Sequence, residues 1–194
     1  CLFLAEAKSY YANILQYHGK SVLKAIKTAT SLPGIDMILP SHGVGYRKPE
    51  DIEAGIKLYT QWASYKPNPK VSVLYDCNWF GTEKMAVAVA SGCAKVPGVD
   101  VDMFHARRTH ITRTATEIMD SAAVAVGSAV LHDSILPDLA MHLNYLRCLG
   151  AKNKVGGIFG TYGWNNTATP KEFRTQLFTP NQIPEVCEPV LARW

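Results

Sequence analysis

Apolar positions over residues 6 to 29 recur at helical spacing, with Ala7, Tyr11, Ile14, Leu15, Val22, Ile26 and Ala29 on one face and Gly19 as an interruption. The stretch "LPGIDMILPSHG" then predicts a turn at Pro33 and Gly34, a short buried strand at Met37 to Leu39, and a tight loop carrying His42. A second helix is predicted from Pro49, which suits a first helical turn. Glu50 and Asp51 complement the helix dipole there, and Ile52, Ile56, Tyr59 and Ala63 share a face. At "KPNPK", residues 66 to 70, two prolines in five residues predict an extended, semi-rigid linker.

Beyond the linker the pattern changes. Residues 71 to 75 form a predicted strand, and residues 83 to 96 a helix with Met85, Val89, Cys93 and Val96 on one face, stopped by Pro97 and Gly98. "VDVDMF", residues 99 to 104, alternates apolar and acidic positions, the pattern of a strand with one wet face at a sheet edge. "AAVAV" (122 to 126) and "KVGGIF" (154 to 159) are continuously apolar and predict central strands, with helices near 113 to 119 and 135 to 149. This β-α-β-α-β-α-β order predicts an α/β fold, a parallel sheet with right-handed crossovers and helices on both faces. "TPKEFRTQLF" reads as one more helix. "EVCEPVL" reads as a fifth, edge strand whose pairing Pro184 and Pro189 limit.

Composition narrows the classes. Of 194 residues 47% are hydrophobic and 19% charged, enough to build a globular core. No apolar run is long enough to span a bilayer. The net charge of +4 comes without any dense Lys/Arg block, which argues against nucleic acid or membrane as a partner. Five widely spaced cysteines, Cys1, Cys77, Cys93, Cys148 and Cys187, include no C-x-x-C pair and point to free thiols and a cytoplasmic setting. The chain starts with Cys rather than Met and lacks a signal-peptide pattern, so it is expected to begin inside a longer protein.

In an open parallel sheet, ligands bind outside the carboxyl ends of the strands. Three polar loops follow predicted strands there: "DCNWFGT" (76 to 82), "GSAVLHDS" (127 to 134) and "GTYGWNN" (160 to 166). The first runs into a helix N-terminus, where unpaired N–H groups favour a phosphate. Taken alone, it reads equally well as an N-cap at Thr82 with a turn at Gly81. Trp79, Tyr162 and Trp164 tilt the balance, because aromatic side chains in loops suit stacking on a flat conjugated ring. Neither G-x-G-x-x-G nor G-x-x-x-x-G-K-[ST] occurs, which disfavours a dinucleotide or nucleoside triphosphate.

Together "VLYDCNWFGTEKMA", "VGSAVLHDSILP" and "GIFGTYGWNN" resemble the three flavin-contacting loops of the flavodoxin-like domain in flavodiiron proteins. "YYANIL" and "ILPSHGVGYRKPEDI" resemble the end of that family's metallo-β-lactamase-like domain. The resemblance implies a doubly wound parallel sheet of order 2-1-3-4-5. It also implies that residues 1 to 65 are the end of a diiron domain, and that residues 71 to 194 are a C-terminally truncated FMN domain. Carried over by position, Cys77, Asn78, Trp79, Phe80, Gly81 and Thr82 would hold the FMN phosphate and ribityl chain. Ser128, Ala129, Val130, Leu131 and His132 would line the ring, and Gly160, Thr161, Tyr162, Gly163 and Trp164 would close its other side. Cys77 stands where the family usually has Ser, and Ala129 and Val130 replace a Pro-Thr pair.

His42 matches an iron-ligating histidine of the family, yet the H-x-E-x-D-H motif is absent, so His42 is an orphan ligand. His18, His105, His110 and His142 show no metal spacing and read as surface or packing residues. Arg107, Arg108 and Arg113 read as a solvated basic face, with an acidic redox partner as the other option. The implied function is an FMN-binding, electron-transferring part of an oxidoreductase that reduces dioxygen or nitric oxide at a diiron centre present only in the full-length parent. A rubredoxin-like or reductase donor and a head-to-tail homodimer are implied as partners. Two other readings are a stand-alone flavodoxin-like carrier and, on His42 alone, a hydrolase fragment with metal and no flavin.

Overall fold

Five parallel strands in the order β2-β1-β3-β4-β5 organise the chain, the order expected above. The computed structural model describes residues 2–193, so Cys1 and Trp194 lie outside it. The strands are β1 (Asn68–Asp76), β2 (Asp100–His105), β3 (Ser121–Ala129), β4 (Val155–Tyr162) and β5 (Val190–Arg193). The helices are α1 (Leu2–Tyr10), α2 (Gly19–Thr30), α3 (Pro49–Ala63), α4 (Gly81–Cys93), α5 (Ile111–Met119), α6 (Pro137–Leu149), α7 (Ala168–Phe173) and α8 (Thr179–Asn181). None of them is long and apolar enough to cross a membrane.

Successive residues of a strand face opposite ways, and that alternation builds two cores. Val73, Tyr75, Ala125 and Phe159 point toward α4 and pack with its Ala86 and Ala90. Leu74, Val124, Val126 and Ile158 point the other way and pack with Ile118, Leu139, Leu143 and Phe173, from α5, α6 and α7. Gly127 is needed where it stands. A Cβ there would lie 2.1 Å from the Phe159 ring, so the bare backbone lets that ring lie across the sheet.

Several elements depart from their predicted bounds. The helical run over residues 6 to 29 is interrupted not at Gly19 but upstream, by a π-turn at Tyr11–Leu15 and a 3-10 turn at Gln16–His18. The wide turn keeps both Tyr11 and Ala12 buried against Trp62. Gly19 is a close-contact residue instead, since a Cβ there would sit 2.7 Å from the Ala63 carbonyl oxygen. Met37 to Leu39 is no strand. Only a bridge between Ile38 and Tyr46 forms, and Met37 and Leu39 are exposed. The helix predicted from residue 83 begins two residues earlier, after Phe80 turns the chain through the left-handed region. The second half of the predicted linker already belongs to β1. The fifth strand starts only after Pro189, which has no N–H to donate to the ladder, and Glu185 contributes a single bridge to Gly156.

At the amino edge of the sheet the N-terminal segment docks through a buried polar cluster. Lys70 Nζ lies 2.7 Å from Asp120 and 3.0 Å from Glu117, and Lys8 Nζ lies 3.0 Å and 3.1 Å from the same two carboxylates. Burial alone would raise the carboxyls of Asp120 and Glu117, but hydrogen bonds and charge from Lys70 and Lys8 outweigh it and hold both below the usual range. Lys154, also buried, donates to the carbonyls of Met119, Ser121 and Lys152 at 3.1 to 3.2 Å. Asn13 completes the joint by accepting from Tyr145 Oη and donating to the Thr112 carbonyl.

Candidate functional site

All five strands end at the same edge, and there the three polar loops frame a cleft of about 340 Å³. It is lined by Asn78, Trp79, Gly81, Thr82, Ala129, Val130, Thr161, Tyr162, Gly163, Trp164 and Arg193. Pockets of roughly 300–1,000 Å³ with convergent polar groups are where small cofactors bind.

The first loop is held from below. Asp76, the last residue of β1, is fully buried, accepts from the Cys77 N–H at 2.8 Å, and lies 3.2 Å from Arg107 Nε. Arg107 also donates to Asn78 Oδ1 at 3.0 Å and thereby fixes the side chain that enters the cleft. Cys77 continues the alternation of β1 by one residue and turns toward the α4 face, with Sγ 3.8 Å from His105 Nε2. Burial pushes its thiol up and burial likewise lowers His105, so the pair is an uncharged contact beneath the loop. Phe80 sits at φ 63 and provides no side-chain cap for α4. Gly81 and Thr82 line the cleft, and their N–H groups, in the first turn of α4, have no intrahelical acceptor. Thr82 Oγ1 meets Thr161 Oγ1 at 2.9 Å and joins the helix start to the end of β4. Tyr75 Oη donates to Glu83 at 3.2 Å, which holds that acidic first-turn residue; burial and Glu83 push the tyrosine up to about 12.

The second loop is stapled by Ser128, whose Oγ donates to the Ala129 carbonyl and accepts from Leu136 N–H at 3.1 Å. Beyond it, Leu131 and Ser134 exchange both backbone hydrogen bonds around His132 and Asp133, which have φ of 45 and 62. This is a tight reverse turn, with Leu131 and His132 exposed on it. The third loop follows Tyr162; within β4, Gly160 pairs with Ser128, and a Cβ there would lie 2.5 Å from the Ser128 carbonyl oxygen. Asn165 Nδ2 donates to Asp133 Oδ1 at 2.8 Å and ties the third loop to the tip of the second.

Ten of the predicted site residues thus meet in the cleft: Asn78, Trp79, Gly81, Thr82, Ala129, Val130, Thr161, Tyr162, Gly163 and Trp164. Cys77, Phe80, Ser128, Leu131, His132 and Gly160 shape the loops around it. Trp79 and Trp164 stand 75% and 97% exposed, which is unusual for indoles unless they serve a ligand or partner. Asp76 and Asn165 lay in the loops singled out from the sequence but were given no role, Arg107 was read as part of a solvated basic face, and Arg193 was not considered. For Asp76 a signal existed, a carboxylate closing an otherwise apolar strand.

His42 belongs to the N-terminal segment that docks at the opposite edge. It is exposed beside Tyr10, with ring centres 5.4 Å apart, and it borders a largely apolar groove between α1, α2 and α3. Among the described residues no group of three or more His, Cys, Asp or Glu side chains could hold a metal ion. A diiron centre therefore does not fit the residues at hand.

No protein-family model matches the chain. It is 37% identical over 168 residues to a nitric oxide reductase of Moorella thermoacetica, covering 86% of this chain and 41% of that protein. Its structure superposes on the rubredoxin oxygen:oxidoreductase of Desulfovibrio gigas with a TM-score of 0.88 at 33% identity, covering 96% of this chain and 46% of that one. It superposes on the flavodiiron protein of Giardia intestinalis with a TM-score of 0.86 at 30% identity, again covering 96% and 46%. The chain spans less than half the length of the curated relatives it matches.

Proposed function

We propose that this chain, related to the flavodiiron proteins over nearly its whole length, binds FMN in the carboxyl-edge cleft and works as the electron-carrying part of an oxidoreductase. The observation that carries the reading is the division of the cleft. At one end is the uncapped start of α4, and exposed indoles flank the same space.

FMN, when bound, supplies one- and two-electron transfer. The chain's own residues do the rest. N–H groups at Gly81 and Thr82 hold the phosphate, where the helix dipole favours negative charge. Asn78, pinned by Arg107 and Asp76, offers its amide to the ribityl chain. Trp79 and Trp164, which line the cleft, would flank a bound ring and shield it from water. The Thr82 to Thr161 contact keeps the two ends of the cleft in register.

In a longer parent, residues 1 to 65 would end a metallo-β-lactamase-like domain, and His42 would be one ligand of a diiron centre that the described residues of this chain cannot hold by themselves. Electrons would arrive from a rubredoxin-like or reductase donor, and dioxygen or nitric oxide would be the acceptor. A head-to-tail homodimer would bring the flavin of one subunit to the iron of another. The names of the relatives and the extent of the match support this reading.

The test is titration of the purified chain with FMN, followed by flavin fluorescence and the visible spectrum. Retention of FMN at micromolar concentration is expected, with a perturbed flavin absorption band. A folded chain, checked by circular dichroism, that leaves the FMN spectrum and fluorescence unchanged would sink the reading.

A further inference from the structure

His142 lies on the buried face of α6 and is 1% exposed, while every other buried residue of that helix is a leucine. Its Nε2 stands 3.2 Å from the carbonyl oxygen of Ala106, which begins the 3-10 turn Ala106–Arg108 after β2. A carbonyl only accepts, so Nε2 carries the proton and the neutral ring leaves Nδ1 bare. Nδ1 is buried and has no hydrogen-bond partner. One turn earlier on the same helix, Asp138 lies 3.6 Å from Arg107 Nε. Helix α6 thus holds the short turn twice, by its backbone through His142 and by its side chain through Asp138.

The turn in turn reaches the cleft. Arg107 donates to the fully buried Asp76 at 3.2 Å and to Asn78 at 3.0 Å, and Asn78 lines the cleft. A leucine at 142 would suit the packing of α6 but would not bond the Ala106 carbonyl. Protonation of Nδ1 would put a charge and a new donor into a leucine-rich layer, where no acceptor waits for it. The titratable groups facing the ring are Asp138 on its own helix, Asp76 at the end of β1 and His110 before α5, and Arg107 and Arg108 are the charges on the turn. Burial outweighs the Ala106 carbonyl and the two carboxylates and holds the imidazole below its ordinary value of 6.5.

We propose that His142 is a positioning residue for the cofactor cleft, acting through the Ala106–Arg108 turn and Arg107 on Asn78, so that its protonation loosens flavin binding in acid. The inference rests on the cofactor reading above. The experiment is equilibrium titration of the full chain, of His142→Gln and of His142→Leu with FMN, from about pH 8 to about pH 5.5, a range spanning the ordinary imidazole value.

Glutamine keeps a donor at the reach of Nε2 and cannot take a proton. His142→Gln is expected to bind FMN within about two-fold of the original chain at about pH 8 and to lose at least about five-fold less affinity on acidification, the low end of common coupling between sites. The FMN phosphate titrates in the same range but does so for both chains, so the difference belongs to residue 142. His142→Leu lacks the donor and should bind FMN more weakly at every pH. Parallel pH profiles for the original chain and His142→Gln, or full affinity in His142→Leu, overturn the role of His142 while the cofactor reading stands. An original chain that binds no FMN at about pH 8 overturns both. Where a variant fails to fold, the original chain decides. Its His142 ring resonance, followed by NMR, must titrate at lower pH with FMN bound than without, because coupling is reciprocal. The phosphate charge alone would move it the other way. An unchanged or raised value with FMN, or no titration above acid unfolding, overturns the proposal.

Discussion

Both edges of the sheet carry polar groups and treat them in opposite ways. At the amino edge Lys8, Lys70, Glu117, Asp120 and Lys154 close on one another and on backbone carbonyls. Little donor capacity is left over, and the result is a joint between the N-terminal helices and the sheet. At the carboxyl edge the supporting bonds are also made, from Asp76 to Arg107 and from Ser128 to Leu136. Yet groups facing the cleft stay open: the start of α4 and two indoles. Polar residues at a strand end thus announce a ligand only where their partners have been withheld.

The largest expected effect is at the closed edge. Lys70→Met would leave Asp120 and Glu117 sharing Lys8 in a buried setting. A loss of about 3–5 kcal/mol in urea unfolding is expected, as when a buried ion pair loses one partner. The flavin affinity of the molecules that remain folded should not change. If affinity falls instead and stability holds, the division between the edges breaks.

Next comes the pH dependence of Lys154. Burial lowers its amine to about 8, whereas an unfolded lysine titrates near 10.5. Between these values the unfolded chain binds more protons, so stability should rise as pH rises from about 8 to 10, by on the order of 3 kcal/mol if expressed fully. Lys154→Met should flatten that rise in urea midpoints measured across the window. The carboxylates Asp120 and Glu117 act at the other end of the scale. Their lowered values stabilise the fold above the normal carboxylate range, and that contribution disappears as pH falls through it.

The smallest change in stability and the sharpest test of the open edge is Trp164→Ala. The indole is 97% exposed, so unfolding should move by less than about 0.5 kcal/mol. FMN affinity should drop roughly ten-fold, the order expected for loss of one stacking partner.

Much of this was legible along the chain, for physical reasons. Apolar runs at 122 to 126 and 154 to 159 read as interior strands because both faces of a doubly wound sheet are covered, and the acidic alternation of β2 marked an edge. The three loops stood out because Trp79, Tyr162 and Trp164 read as loop aromatics; Trp79 and Trp164 do lie in loops, whereas Tyr162 ends β4. What the pattern could not convey is which way a residue turns once its strand has ended. Cys77 keeps the period of β1 and goes beneath the loop, while Asp76 draws Arg107 out of its apparently solvated group. Arg193 was hidden because Pro189 delays the start of β5. The amino-edge cluster joins Lys8 to Glu117 across more than a hundred residues, and no local spacing encodes that.

The bond between Asn165 and Asp133 carries one further consequence. It joins the tips of two loops that otherwise leave the sheet separately, and Asn165 also accepts from the N–H and hydroxyl of Thr167. One wall of the cleft is thereby a single latched unit rather than two independent flaps. A ligand entering it does not have to freeze two sets of loop torsions. The entropy of ordering that wall is lost on folding instead of on binding, and affinity at this site is governed correspondingly more by contacts than by rearrangement.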